Sequence, residues 1–229
     1  MLKVFIGFDS NEPITFGVLS HSIMRHSSIP VSITPLYLPQ LPISRLRDEN
    51  QSTDFAYSRF LVPWLCNYEG KAIFMDSDML FRDDIASLIK EADESADVSV
   101  VKHDYTPKND IKFLGQRQTT YEKKNWSSLM VFNNWKCHRL TVDVVNKESG
   151  MYLHQFHWAD KVGEISKDWN HLVGEYEPNK NAKNVHFTLG APCFKHYFTC
   201  EFSKEWRDEC KMMTYHNPIG EYAEKYGNS

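Results

Sequence analysis

The sequence predicts an α/β fold: a mixed, mostly parallel central sheet flanked by helices. Three observations predict it. Short, nearly continuous apolar runs recur along the chain, the pattern of strands buried on both faces. The first two runs are separated by a helical pattern, and strand–helix–strand order makes parallel neighbours joined by a right-handed crossover. The composition suits a sizeable packed core, with 41% of the 229 residues hydrophobic and 24% charged.

Taken in order, Leu2 to Phe8 is the first strand. Pro13, suited to a first helical turn, opens a helix in which Val18, Leu19, Ser22 and Ile23 recur at helical spacing. Val31 to Leu38 is the second strand, ended by Pro39 and Pro42. Phe55 to Leu65 reads as a helix with Phe60, Leu61, Trp64 and Leu65 on one side, kinked or stopped by Pro63. Ala72 to Met75 is a third buried strand. Asp83 and Asp84 are placed to cap a helix carrying Ile85, Leu88 and Ile89. Asp97 to Val101 and Leu129 to Phe132 are strands, and His138 to Lys147 a helix. The last third is less regular, with a strand over Asn184 to Thr188 and two short polar-aromatic helices near the end. No repeat, low-complexity tract or linker interrupts the chain. The expectation is therefore one domain over 1–229.

Charge and composition exclude several classes. Lys and Arg number 26 against 30 Asp and Glu, a net charge of −4, so no basic surplus exists to bind nucleic acid. No stretch approaches the roughly 18 apolar residues that span a bilayer, which predicts no integral membrane segment. Asp9 comes too soon for an N-terminal secretion signal. The five scattered cysteines include no C-x-x-C pair, which favours reduced thiols and a cytoplasmic protein. Aromatic residues reach 14%, enough to line pockets with rings.

The sharpest feature is Asp76-Ser77-Asp78, directly after the third strand. Strand side chains alternate faces, so two carboxylates two residues apart at a strand end can converge on one point. Converging carboxylates repel unless a cation neutralises them. The carboxyl ends of strands are also where open α/β sheets bind ligands. Oxygen donors favour Mg or Mn. An isolated D-x-D is more often a strand end that caps the next helix and faces solvent. Phosphatases of the haloacid-dehalogenase type also carry D-x-D, but on their first strand and with Thr or Val where Leu80 stands here.

Four blocks give the pair its company. Thr53-Asp54-Phe55-Ala56-Tyr57-Ser58-Arg59-Phe60 and Lys71 to Phe81 resemble the T-x-x-x-Y-x-R helix and D-x-D strand of GT-A glycosyltransferases of family 8, the family of glycogenin and bacterial lipopolysaccharide hexosyltransferases. Asn125 to Asn133 is similar to that family's Asn-Ser-Gly strand, and Asn184 to Pro192 to its late segment in which a His and a Gly precede Lys-Pro-Trp. The blocks stand in family order across most of residues 1–195. The resemblance implies a GT-A-type nucleotide-sugar-binding domain, with a nucleotide-binding half at 1–102 and an acceptor-side half at 125–229, and a metal-dependent hexosyltransferase that uses a UDP-sugar with retention. It implies Mn, with Mg as the alternative, bound by Asp76, Asp78 and His186. Asp9, with Phe8 beside it, would contact the base. Tyr57 and Arg59 would hold nucleotide and donor sugar, Ser77, Ser127 and Ser128 would line the sugar pocket, and Gly190 would belong to the same cofactor site.

Three departures stand out. The Lys that normally precedes Pro-Trp is Ala191, and the Trp is Cys193; Lys195 is the candidate substitute, or else a solvated lysine. Trp126-Ser127-Ser128 replaces Asn-Ser-Gly. The family's Asp-Gln pair finds its nearest match in Asp160, a candidate catalytic carboxylate or else a surface one. The stretch from His103 to Lys124, with Lys108, Lys112, Arg117, Lys123 and Lys124, reads as a basic flap over the diphosphate or as a solvated charge run. The acceptor is open: glycan, lipid-linked sugar, protein or small molecule. Aromatics near the end (Phe194, Tyr197, Phe198, Trp206, Tyr215, Tyr222) are candidates to stack an acceptor sugar, or plain packing. A binding protein for sugar nucleotides without transfer activity is the rival reading.

Overall fold

The computed structural model describes residues 1–45, 53–107 and 122–215. In chain order the first elements are β1 (Leu2–Phe8), α1 (Pro13–His26), β2 (Val31–Tyr37), α2 (Val62–Leu65), β3 (Lys71–Met75), β4 (Met79–Phe81), α3 (Ile85–Glu91) and β5 (Val98–Val100). After them come β6 (Leu129–Asn133), α4 (Val142–Lys147), α5 (Gly150–His154), β7 (Val162–Glu164), β8 (His171–Leu172), β9 (Asn184–His186) and α6 (Ser203–Tyr215). Two sheets result. The larger has the order β2-β1-β3-β6-β5-β7, the smaller β4-β9-β8. In the larger sheet β1 runs parallel to β2 and β3, and β5 to β7. Only β6 is reversed among these six, antiparallel to both its neighbours.

The apolar runs are continuous because both faces of the large sheet are covered. Phe5, Ala72, Phe74, Met130 and Phe132 pack on one side with Phe55, Phe60 and Trp158. Val4, Ile6, Ile73, Met75 and Val131 pack on the other with Leu19 and Ile23 of α1. Alternate residues of each strand thus serve opposite layers. Pro35 lies within β2, where an edge position tolerates the missing N–H. Strands from both halves of the chain interleave, since β6 sits between β3 and β5.

The helices depart more from expectation than the strands. The predicted helix over Phe55 to Leu65 is broken into a 3-10 turn at Ser58–Leu61 and the four-residue α2. Pro63 falls in the first turn of α2, where its lost N–H costs no helical bond. The predicted helix from His138 begins only at Val142, because the Thr141 hydroxyl caps it by accepting from the Val144 amide at 3.2 Å. Asp84 caps α3 as expected, accepting from the Ala86 amide at 3.0 Å. Of the two short terminal helices, one is a 3-10 turn at Lys195–Tyr197 and the other the thirteen-residue α6. The buried Glu209 carboxylate clamps α6 to α1, accepting from Arg25 Nη2 at 2.8 Å and lying 2.6 Å from His21 Nδ1. Trp206 packs in the small core beneath α6, which takes it out of the pool of stacking aromatics. All five cysteines are free. Among the described residues, no helix is long and apolar enough to cross a membrane.

Candidate active site

Asp76-Ser77-Asp78 is the joint between the two sheets. β3 ends at Met75 in the larger and β4 begins at Met79 in the smaller. Backbone hydrogen bonds fix both ends of the joint: the Asp76 amide donates to the Ser128 carbonyl at 2.8 Å, and the Phe187 amide to the Asp78 carbonyl at 2.9 Å. His186 stands opposite Met79 in the β4–β9 ladder, one residue past the joint. Sequence distance therefore collapses. Ligand atoms of Asp76, Asp78 and His186 all lie within 4.8 Å of one another.

The group is held from beneath. Arg59 is buried, with its Nη1 2.9 Å from Asp76 Oδ1 and its hydrogen bond donated to the Ser127 carbonyl at 2.9 Å. Its guanidinium rests over the Phe74 and Phe55 rings at 4.8 and 5.4 Å. On the far side, His186 Nε2 is 3.3 Å from Asp78 Oδ1, while its Nδ1 is 3.0 Å from Asn170 Oδ1. Two carboxylate oxygens and one imidazole nitrogen within this span form a donor set suited to a divalent cation such as Mn or Mg.

The other expected residues fall into three groups. Phe8 ends β1 and Asp9 follows it; β1 runs parallel to β3 and carries both to the edge where β3 ends. Asp9 Oδ1 accepts from the Asn11 backbone and side-chain nitrogens at 2.9 and 2.8 Å, and Oδ2 from the Asp54 amide at 3.3 Å. Phe8 packs edge-on against Phe16 and Tyr37. Ser77, Ser127 and Ser128 are buried. Ser127 Oγ is 2.8 Å from His154 Nδ1. Ser128 Oγ donates to the Asn125 carbonyl at 2.7 Å and accepts from Asn170 Nδ2 at 2.8 Å, which turns its hydroxyl inward. Tyr57 lies beneath the Arg45 guanidinium at 3.5 Å and beside His154, with ring centres 6.2 Å apart.

Gly190 turns the chain after β9 at φ 152°, a value that favours glycine, its amide donating to the Phe187 carbonyl at 2.8 Å. Lys195 is exposed on the 3-10 turn beyond. Of the predicted flap, Lys108, Lys112 and Arg117 lie outside the described residues. Lys123 donates to the Gln155 carbonyl at 2.6 Å.

Asp160 is not brought to this group. It precedes β7, whose Val162 is level with Val98, Phe132 and Ala72, at the opposite edge of the sheet from Met75. Its exposed carboxylate pairs with Arg139 at 2.6 Å.

Three site residues had no signal of their own in the sequence. Asn170 is fully buried between His186 and Ser128. His154 closes on Ser127, and burial, with Arg59 and Arg45 nearby, pushes its pKa down to about 3. His103 is 5% exposed, 2.7 Å from the Tyr176 hydroxyl, and burial beside His186 and Lys167 pushes it down to about 3 as well. Tyr105 and Tyr176 join it in an aromatic wall, with ring centres 5.7–6.2 Å apart.

No protein-family model matches the chain. Protein CDI of Arabidopsis thaliana is 38% identical over 228 residues, covering 94% of this chain and 88% of its own. Among solved structures, the galactosyltransferase LgtC in complex with donor and acceptor sugar analogs matches with a TM-score of 0.61, at 10% identity over 96% of this chain and 98% of LgtC. The bifunctional glycosyltransferase WbbM matches at 0.61 and 16% identity over 96% of this chain, and GlyE of Streptococcus pneumoniae at 0.61 and 14% over 92%. The chain spans half the length of WbbM and 61% of GlyE. The fold is that of GT-A glycosyltransferases.

Proposed function

This chain belongs to the family of Arabidopsis Protein CDI, and on that premise we propose that it is a metal-dependent glycosyltransferase moving a hexosyl group from a UDP-sugar to an acceptor with retention. The convergence of Asp76, Asp78 and His186 at the edge where the two sheets join carries the reading. A glycosyltransferase fold and the four sequence blocks in family order support it. The Ala191 and Cys193 departures favour the second reading, a sugar-nucleotide binder without transfer activity, because the usual phosphate-gripping lysine is missing.

In this proposal Asp76, Asp78 and His186 hold Mn, with Mg the alternative. With the cation bound, charge building on the diphosphate as the anomeric C–O bond breaks would be neutralised there. Arg59 keeps Asp76 in place through its ion pair and its bond to the Ser127 carbonyl. Asp9 supplies a carboxylate acceptor for a base N–H, and Ser127, braced by His154, faces the donor sugar. The half-buried Tyr105 and Tyr176 rings, with His103 buried against them, offer ring faces to an acceptor. Asp160 takes no part. Retention follows a front-face route: the acceptor oxygen bonds the anomeric carbon on the face the diphosphate leaves, and the departing phosphate oxygen takes the acceptor's proton.

Donor class is read by thermal shift in the presence of Mn. UDP should raise the melting temperature through linkage, and GDP and CDP by less. A larger shift with GDP or CDP would overturn the uridine assignment. Free UDP released from UDP-sugars on adding acceptor separates transfer from mere binding.

A further inference from the structure

We propose that Asn170 is a positioning residue that sets the tautomer of His186 and thereby which nitrogen faces the Asp pair; the inference rests on the metal reading above. It follows from counting protons along one chain of hydrogen bonds. The Asn125 carbonyl can only accept. Ser128 Oγ, 2.7 Å away, therefore spends its one proton there. What remains on that oxygen is lone pairs, so the Asn170 atom 2.8 Å from it is the amide nitrogen, donating. The other end of the amide, Oδ1, then faces His186 Nδ1 at 3.0 Å and can only accept. Nδ1 carries a proton.

The consequence falls on Nε2. In the neutral ring it keeps its lone pair, and it lies 3.3 Å from Asp78 Oδ1. Two acceptors then face each other with no proton between them, an arrangement that a cation reconciles. Asn170 is 0% exposed, so a flipped amide would leave Oδ1 facing the lone pairs of Ser128 Oγ with no water to mediate. The turn that carries it is anchored to the strand that carries His186: the Trp169 carbonyl accepts from Asn184 Nδ2 at 3.0 Å. An amide rather than a carboxylate orients the ring without adding a third negative charge beside Asp76 and Asp78. Partners of this kind fix ring orientation and ligand basicity, and their loss typically costs 10–100-fold in metal affinity.

The test has a metal-free and a metal-bound arm. In the metal-free protein at pH 8, nitrogen-15 NMR of the His186 ring should show a protonated Nδ1 in the wild type and in Asn170→Asp, whose carboxylate still accepts from it. Asn170→Ala should shift the proton to Nε2, toward Asp78. Mn titration followed by electron paramagnetic resonance should give an affinity about tenfold or more weaker for Asn170→Ala, and within about threefold of wild type for Asn170→Asp. An unprotonated Nδ1 in the wild type overturns the proposal. So does an Asn170→Asp variant that loses as much Mn affinity as Asn170→Ala, since packing alone would then explain both. A wild type that keeps the Nδ1 proton but binds no Mn supports the tautomer and contradicts the metal reading.

Discussion

His103 shows how much one buried side chain can set. Its ring is 5% exposed beside His186, and its pKa is pushed down to about 3, chiefly by burial. In the unfolded chain the value returns to about 6.5. Between those limits the unfolded state binds one more proton, so stability falls as pH drops from about 6.5 toward 3; above 6.5 the residue contributes no pH dependence. Between pH 7.5 and 5 this amounts to about 2 kcal/mol, and urea midpoints of the metal-free protein should show it missing from His103→Asn. An unchanged acid slope in that variant would contradict the burial argument. At the same scale, Asp76, Asp78 and His186 were legible in the sequence because a strand end and a family-like late block single them out. Asn170 and His154 were not: each meets its partner across 16 to 27 residues, and no spacing rule joins an asparagine in a short turn to a histidine on a later strand. Asp160 was legible only as a carboxylate. The sheet register that sends it to the far edge is a tertiary fact.

Elements were readable where burial dictated a pattern over five or more residues. β1 and β3 show continuous apolar runs because helices and turns cover both faces of the sheet. β4 and β8 are three and two residues long, too short to show a period, so although Asn184 to Thr188 reads as a strand and β9 forms there, the second sheet it joins, and with it the joint, was hidden. The segment from Phe55 to Leu65 reads as one helix because its apolar spacing fits one, yet Pro63 starts a new turn there and the Phe55 ring lies against Gly7 of β1. A Cβ on Gly7 would overlap the Phe55 ring. Gly7→Ala should therefore destabilise the protein by about 1–3 kcal/mol, the range of overpacked cores. It should also weaken UDP binding, since Phe55 adjoins Asp54, whose amide holds the Asp9 carboxylate. Denaturant unfolding and nucleotide titration of the variant check both. Wild-type stability with wild-type UDP affinity would show that the strand gives way to the ring without moving the loop.

At the scale of the whole molecule, two sheets are arranged so that their joint is the acidic pair. The large sheet delivers Asp76 at the end of β3, the small sheet delivers His186 on β9, and backbone bonds to Ser128 and Phe187 tie the joint to both. The α/β class, the parallel character of the sheet and the glycosyltransferase likeness were legible from strand order and four short blocks. The joint's geometry was not, because it depends on which strands pair. The central claim is that this joint holds the divalent cation on which transfer depends. The measurement that tests it most directly is release of UDP from a UDP-sugar, with acceptor, by the wild type and Asp78→Asn in Mn and in EDTA. Asp78→Asn keeps the shape and removes a charge that matters most in the transition state, so kcat and kcat/KM should both fall by orders of magnitude, with metal-free stability level or raised. Wild-type turnover should likewise vanish in EDTA. Undiminished turnover in EDTA, or an Asp78→Asn variant as fast as wild type, would contradict the account.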